Sequence, residues 1–296
     1  AVGGSQAFSD AMVRMIEDHG GTVRTNARIK DIKVEDGKAV AFVLEDGEEV
    51  YGDRLVTTLH AKQVFGSNGM IDPSLVPAEL TERIDSLKPS LYVGNIQSIT
   101  LKEAPRFKLL NGGTANSVLM ETSHGIDEFR GMFEGFKEGK PSPAGSSCSS
   151  HASIVDETRR GKNGAYHTLY LYNYQPYELY GDASNWDKYG EQIADENFEA
   201  YCALTENITW DSVVNRVIHT PLDFEREFPS FLCGDFCHIS QDGDQGGANR
   251  PSPLIDRYHT PIDGLYFGGC STWPGPTLVG GGRAVAQVVF EDMDID

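Results

Sequence analysis

The chain has 296 residues with 39% hydrophobic content, enough to bury a sizeable core in one or two domains and too much for a disordered tail. Its formal charge of −19 excludes a nucleic-acid binder and a binder of anionic membrane surfaces, both of which need basic patches. No stretch nears the ~20 continuous apolar residues of a membrane span, the first residues show no charged-then-apolar signal pattern, and the five cysteines lack paired spacing, so a soluble cytoplasmic protein with reduced thiols is expected.

From Ser5 to His19 the apolar residues Phe8, Ala11, Met12, Met15 and Ile16 recur at three- and four-residue steps, and Gly20-Gly21 follows. That spacing predicts an amphipathic helix with a glycine stop. Short β-rich runs come next, at 22–25, 27–34, 38–44 and 48–51, with Asp36-Gly37 and Asp46-Gly47 as hairpin turns. Leu55 to Leu59 reads as a buried strand returning to a main sheet. Beyond Lys62 the pattern turns irregular: strands are expected at 91–101 and 167–174 and a helix at 191–204. Residues 140–153, rich in Pro, Gly and Ser, are expected to form a mobile or partner-contacting loop. Tyr170, Tyr172 and Tyr174 alternate, which puts them on one strand face, either a half-buried sheet surface or the wall of a pocket for a flat ligand.

The segment Gly264 to Ala286 holds the most chemistry. Leu265 to Phe267 suits a short buried strand, Gly280, Gly281 and Gly282 let a backbone approach a ligand, and Arg283 to Phe290 continue as a helix. Unpaired N–H groups and the positive end of the helix dipole then face one point, the arrangement that holds a phosphate. Cys233, Cys237 and His238 lack a full metal-ligand set, so no metal is expected.

Upstream stands an ordered series: Gly234 to His238, Asp244-Gln245, Arg250-Pro251 and Tyr258-His-Thr-Pro-Ile262, then the glycine-rich element. The series resembles the C-terminal third of the phytoene-dehydrogenase-like FAD oxidoreductases. Residues 3–12 and 20–29 resemble the mid-chain helix and following strand of that family, and Pro221, Phe224 and Glu225 agree as well. The likeness covers nearly the whole chain and is weakest at 103–164. Trp273 stands where the family usually has His, Pro276 where it has Gly, and the loop from Pro274 to Arg283 is one residue shorter.

The resemblance implies an α/β fold with an α+β substrate domain: a partial glutathione-reductase-type FAD-binding fold completed by a partner chain. Residues 1–61 would be a flavin-domain part, 62–245 the substrate domain and 246–296 the C-terminal flavin-binding part. FAD would be held by Ile29, Gly268, Gly269, Trp273, Gly275, Thr277, Leu278, Gly280, Gly281 and Gly282. His238 occupies the histidine position of the family, as a donor to a carbonyl or a proton shuttle, and His60 follows the 55–59 strand where relatives run close to the flavin. The chain lacks the Gly-x-Gly-x-x-Gly turn that grips the FAD pyrophosphate, and a second subunit carrying that motif is expected to supply it. The expected function is the smaller subunit of a split FAD-dependent dehydrogenase or desaturase acting on an apolar or cyclic organic substrate. The alternatives are a fragment of a longer chain, a non-catalytic lipid-binding or escort subunit of the same fold, and an amine oxidase-like flavoenzyme.

Overall fold

The computed structural model describes residues 2–122, 125–277 and 280–295, apart from the side chain of Lys162. In chain order its main elements are α1 (Gly4–Asp18), β1 (Ile29–Glu35), β2 (Lys38–Leu44), β3 (Glu49–Tyr51), β4 (Leu55–Thr57), α2 (Ala61–Phe65) and α3 (Ala78–Ser86). There follow β5 (Val93–Leu101), β6 (Phe107–Lys108), β7 (Thr114–Ala115), β8 (Leu119–Thr122), α4 (Ile126–Lys137), β9 (Ser147–Ser150), β10 (His167–Gln175) and α5 (Asn185–Ala203). The last are β11 (Val213–His219), α6 (Pro221–Glu227), β12 (Leu265–Phe267) and α7 (Gly280–Asp292), and short 3₁₀ turns punctuate the loops. The chain forms two compact units, one of residues 1–23 and 91–226, the other of 24–90 and 227–296.

The first unit is built on a five-stranded antiparallel sheet in the order β11-β5-β10-β9-β8. Period-two alternation sends Ile99, Leu101, Leu169 and Leu171 to one face, where they share a core with Phe198 and Tyr201 of α5. Helix α5 meets the sheet because its apolar residues Trp186, Ile193, Phe198 and Tyr201 lie on one side, joined there by Asn197, whose amide oxygen accepts from Asn173 Nδ2 at 2.8 Å. Tyr170, Tyr172 and Tyr174 take the opposite face, as their alternation predicts. Gly94 is needed beneath them: a Cβ there would lie 2.5 Å from the ring of Tyr172. A cavity of about 410 Å³ opens on this face among Ser98, Thr100, Ser150, Arg159, Thr168 and Tyr170. Helix α1 belongs to this unit, where the Gly3 N–H donates to Asp156 at 3.1 Å, yet none of the residues of α1 is buried.

The second unit holds the antiparallel meander β1-β2-β3 and a parallel pair, β4 with β12. The meander joins the pair through Ala39 N–H, which donates to Asp263 O at 2.9 Å, and Leu55 N–H donates to Gly264 O at 2.8 Å. One core takes Leu55, Leu265 and Phe267 from the pair, Val64 and Phe65 from α2, Leu80 and Ile84 from α3, and Ile239 from the loop before β12. Burying a large aliphatic or aromatic side chain is worth roughly 1.5–3 kcal/mol, so this shared core decides which segments stay together. The expected boundaries at 61/62 and 245/246 are therefore corrected. Residues 62–90 and 227–245 pack with the meander and the C-terminal element, and α1 groups with the sheet unit.

Three further expectations change. Residues 22–25 form no strand. The 140–153 segment, expected to be a mobile or partner-contacting loop, contains β9 and buries Ser142, Ser146, Ser147 and Ser149. The three glycines at 280–282 are the first turn of α7 itself. Among the described residues no helix is long and apolar enough to cross a membrane, no cluster of His, Cys, Asp or Glu suits a metal, and all five cysteines are free.

Candidate functional site

The parallel pair ends on one side in two turns, Thr57 to His60 and Gly268 to Ser271, tied by Gly268 N–H donating to Thr57 O at 2.9 Å. Both glycines of the second turn are demanded by packing. A Cβ on Gly268 would lie 2.7 Å from Val285 Cγ2, and one on Gly269, at φ +78°, would lie 2.9 Å from Thr58 Cβ. Gly275 has φ +96° and sits against Gln241 Nε2, at 2.8 Å from where its Cβ would be. Gly282 differs, because among the described residues a Cβ there meets nothing within 4 Å, and the residue is exposed at the start of α7. Among the described residues a Cβ on Gly280 or Gly281 meets only Thr277, whose Oγ1 accepts the Gly281 N–H at 2.9 Å. Leu278 lies outside the described residues.

His60 caps α2. Its Nδ1 accepts the Lys62 N–H at 3.0 Å, and Gln63 Oε1 accepts its own N–H at 3.3 Å. With Nδ1 an acceptor, the proton sits on Nε2, which donates to His238 O at 2.7 Å. The two rings stack with centroids 5.1 Å apart. His238 is held at φ +67° and its Nδ1 lies 3.0 Å from Ser271 Oγ, which also accepts the Ala61 N–H at 3.1 Å. His60 and His238 are 2% and 3% exposed. Burial pushes His60 down to about 4 and His238 down to about 3, with the nearby Arg250 charge acting in the same direction on both. Neither imidazole is poised to exchange protons near neutral pH, which counts against the shuttle role expected for His238.

The Asp-Gln and Arg-Pro motifs form a clamp around this cluster. Arg250 is 3% exposed and donates to the backbone carbonyls of Cys237 (2.8 Å), Ile239 (3.2 Å), Ser240 (2.9 Å) and Cys270 (2.7 Å). Gln245 pairs with both the N–H and C=O of Lys88, at 2.8 and 3.0 Å, and Asp244 takes Arg83 at 2.7 Å. Asp235, buried beside them, accepts from Ser90 N–H at 2.7 Å and Cys237 N–H at 2.8 Å. Satisfying so many backbone groups with a few side chains is how an irregular loop stays ordered in an interior.

The structure thus brings His60, His238, Gly268 and Gly269 together, with Gly275 linked through Arg250, whose Nε would be 3.7 Å from a Cβ there. Trp273 is 53% exposed at the far end of this turn, which removes core packing as its role. Ile29 is not joined to the cluster by any recorded contact among the described residues. It pairs with Leu44, at the opposite end of the β1–β2 hairpin from Lys38, which bridges to Asp263. Sequence reasoning passed over Ser271, whose only signal was its place in the small-residue run before Trp273.

Residues 1–159 match the family described as flavin containing amine oxidoreductase. The chain belongs to that family, whose cofactor is FAD, and within it is phytoene-dehydrogenase-like. It is 28% identical over 301 residues to the pyridine nucleotide-disulfide oxidoreductase domain-containing protein 2 of Rattus norvegicus, covering 98% of this chain and 51% of the relative. It is 24% identical to the neurosporene-forming phytoene desaturase of Rhodobacter capsulatus, over 98% of this chain and 53% of the enzyme. An 85-residue stretch, 28% of the chain, is 35% identical to one of the limonene dehydrogenase subunits of Castellaniella defragrans, covering 16% of that protein. The chain therefore spans about half the length of the full-coverage relatives. An oxidoreductase crystal structure from Methanosarcina mazei shares the fold, with a TM-score of 0.51 at 16% identity over 95% of this chain and 53% of that one.

Proposed function

We propose that this chain is one part of an FAD-dependent dehydrogenase or desaturase acting on an apolar or cyclic organic substrate, with a second polypeptide completing the FAD site. The observation that carries the reading is the β12–α7 element: a buried strand, a glycine turn pressed against β4, and a helix whose first turn offers exposed glycine backbone at Gly280 and Gly282. The residues fit the cofactor there. Open space at Gly282 and the positive end of a 13-residue helix suit an anionic group, and the neutral His238 beside Ser271, in the turn that Gly269 opens, suits the polar edge of a ring. FAD, when bound, supplies the hydride chemistry, and this chain orients it and excludes water through the Arg250 clamp and the buried histidine pair.

The reading of this chain as a subunit has three supports. One relative is itself named as part of a multi-subunit limonene dehydrogenase, and other relatives are about twice the length of this chain. In the first unit, α1 leaves Phe8, Met15 and Ile16 exposed at 37%, 49% and 40%. In the second, β4 and β12 make, among the described residues, a parallel sheet of two strands and Val56 is 43% exposed, whereas parallel strands are ordinarily covered on both faces. A further segment of polypeptide covering these surfaces accounts for all of them.

The visible spectrum and composition of the complex purified from its source test the reading. Oxidised-flavin absorption in a particle containing this chain and a second polypeptide is the expected result. A colourless complex with its partner present would support the escort alternative, and flavin on a single longer chain would end the subunit reading while keeping the enzyme.

A further inference from the structure

We propose that Ser271 is a positioning residue that locks His238 in one neutral tautomer, so that His238 Nε2–H stands as a fixed hydrogen-bond donor toward an acceptor oxygen or nitrogen of the ligand. Each proton in the cluster has one available place. The Ala61 N–H can only donate, so Ser271 Oγ accepts from it at 3.1 Å. Ser271 is fully buried, and among the described residues the only recorded acceptor for its own hydroxyl proton is His238 Nδ1 at 3.0 Å. A hydroxyl that gives its proton to Nδ1 leaves the imidazole proton on Nε2.

The neighbouring ring is locked independently. Lys62 N–H donates to His60 Nδ1, and His60 Nε2–H donates to the His238 carbonyl, fixing the backbone on which His238 turns at φ +67°. Stacking of the two rings and the edge of Phe231, with its centroid 6.1 Å from that of His238, limit ring rotation. Every polar atom of this pair is thereby matched except one. Among the described residues no protein group is hydrogen-bonded to His238 Nε2, and that nitrogen does not belong to the sealed, unpartnered atoms, so some of the 3% of His238 that stays exposed falls on it. A donor prepared this way, neutral and unable to rotate, recognises an acceptor without trading a proton with it.

Only the identity of the acceptor rests on the flavin reading; the tautomer is a property of the chain itself. Nitrogen-15 NMR of the full chain labelled at histidine reads it directly, without cofactor or turnover. The expected result is an Nε2–H tautomer for both His60 and His238. Ser271→Ala should mix the His238 tautomers while leaving the His60 signature in place, and Ser271→Thr, which keeps the hydroxyl, should restore the single His238 form. A proton on Nδ1 of His238 in the unaltered chain overturns the proposal without the need for any variant. It is also overturned by an unchanged His238 signature in folded Ser271→Ala, or by loss of both histidine signatures together. None of these outcomes bears on whether flavin is bound, so the two readings fail separately.

Discussion

Burial pushes His60, His151 and His238 down to about 4, 4 and 3, with the Arg250 charge adding to the effect at His60 and His238. Their unfolded value is near 6.5, so as pH falls from about 6.5 toward 4 the unfolded chain takes up protons that the folded chain refuses. Their contribution to stability is complete above about 6.5 and is lost on acidification, with a slope of about 1.4 kcal/mol per pH unit for each group in that window. His151, whose Nε2 lies 2.7 Å from the Tyr201 hydroxyl, tests this away from the candidate site. His151→Phe should lose about 1–3 kcal/mol at pH 7, because Tyr201 loses its acceptor. Denaturant unfolding between pH 7 and 4.5 should then show a slope shallower by about one proton, and an unchanged slope would place His151 outside the acid response.

At Gly282 the open surroundings predict a separation of stability from binding. Gly282→Leu should fold at least as well, since leucine is favoured over glycine in a helix by roughly 0.5–1 kcal/mol, while the purified complex should carry less flavin. Unchanged flavin content would move the cofactor away from the start of α7.

Elements whose pattern is local were legible in the sequence. The α1 spacing, the Asp-Gly turns of the meander and the alternation of β10 each depend on residues a few positions apart, and α1, β2 and β10 fall within a residue or two of where periodicity puts them. Elements whose partner decides their state were not. Strand β9 has the sequence Ser-Cys-Ser-Ser, with no apolar signal, and is a strand because β8 and β10 flank it. Helix α2 has five residues and depends on caps from His60 and from Ser271, which lies 210 positions away in sequence. The same distinction holds at the site: His238, Gly268 and Gly269 were named from motifs, whereas Ser271 and the carbonyl-binding role of Arg250 appear only when distant loops meet. The close approach of β12 to α7 supplies a test at this scale. Gly268→Ala would place a methyl 2.7 Å from Val285 Cγ2, which is buried, and should cost about 1–3 kcal/mol in denaturant unfolding. A neutral substitution would show that the turn gives way more easily than its packing indicates.

For the whole molecule, each compact unit has its own core yet leaves apolar surface exposed: the uncovered face of α1 in one, the parallel pair β4–β12 in the other. The strong negative charge is compatible with an anionic cofactor because backbone amides and the helix end act at short range, while surface charge is screened beyond about 10 Å. On the proposed reading, this chain is one portion of a flavin site that a second polypeptide completes. Native mass spectrometry of the particle isolated from its source weighs that assembly as it stands. This chain, a different polypeptide and one bound FAD are expected in the same ion. A particle made of this chain alone and free of flavin would contradict the reading.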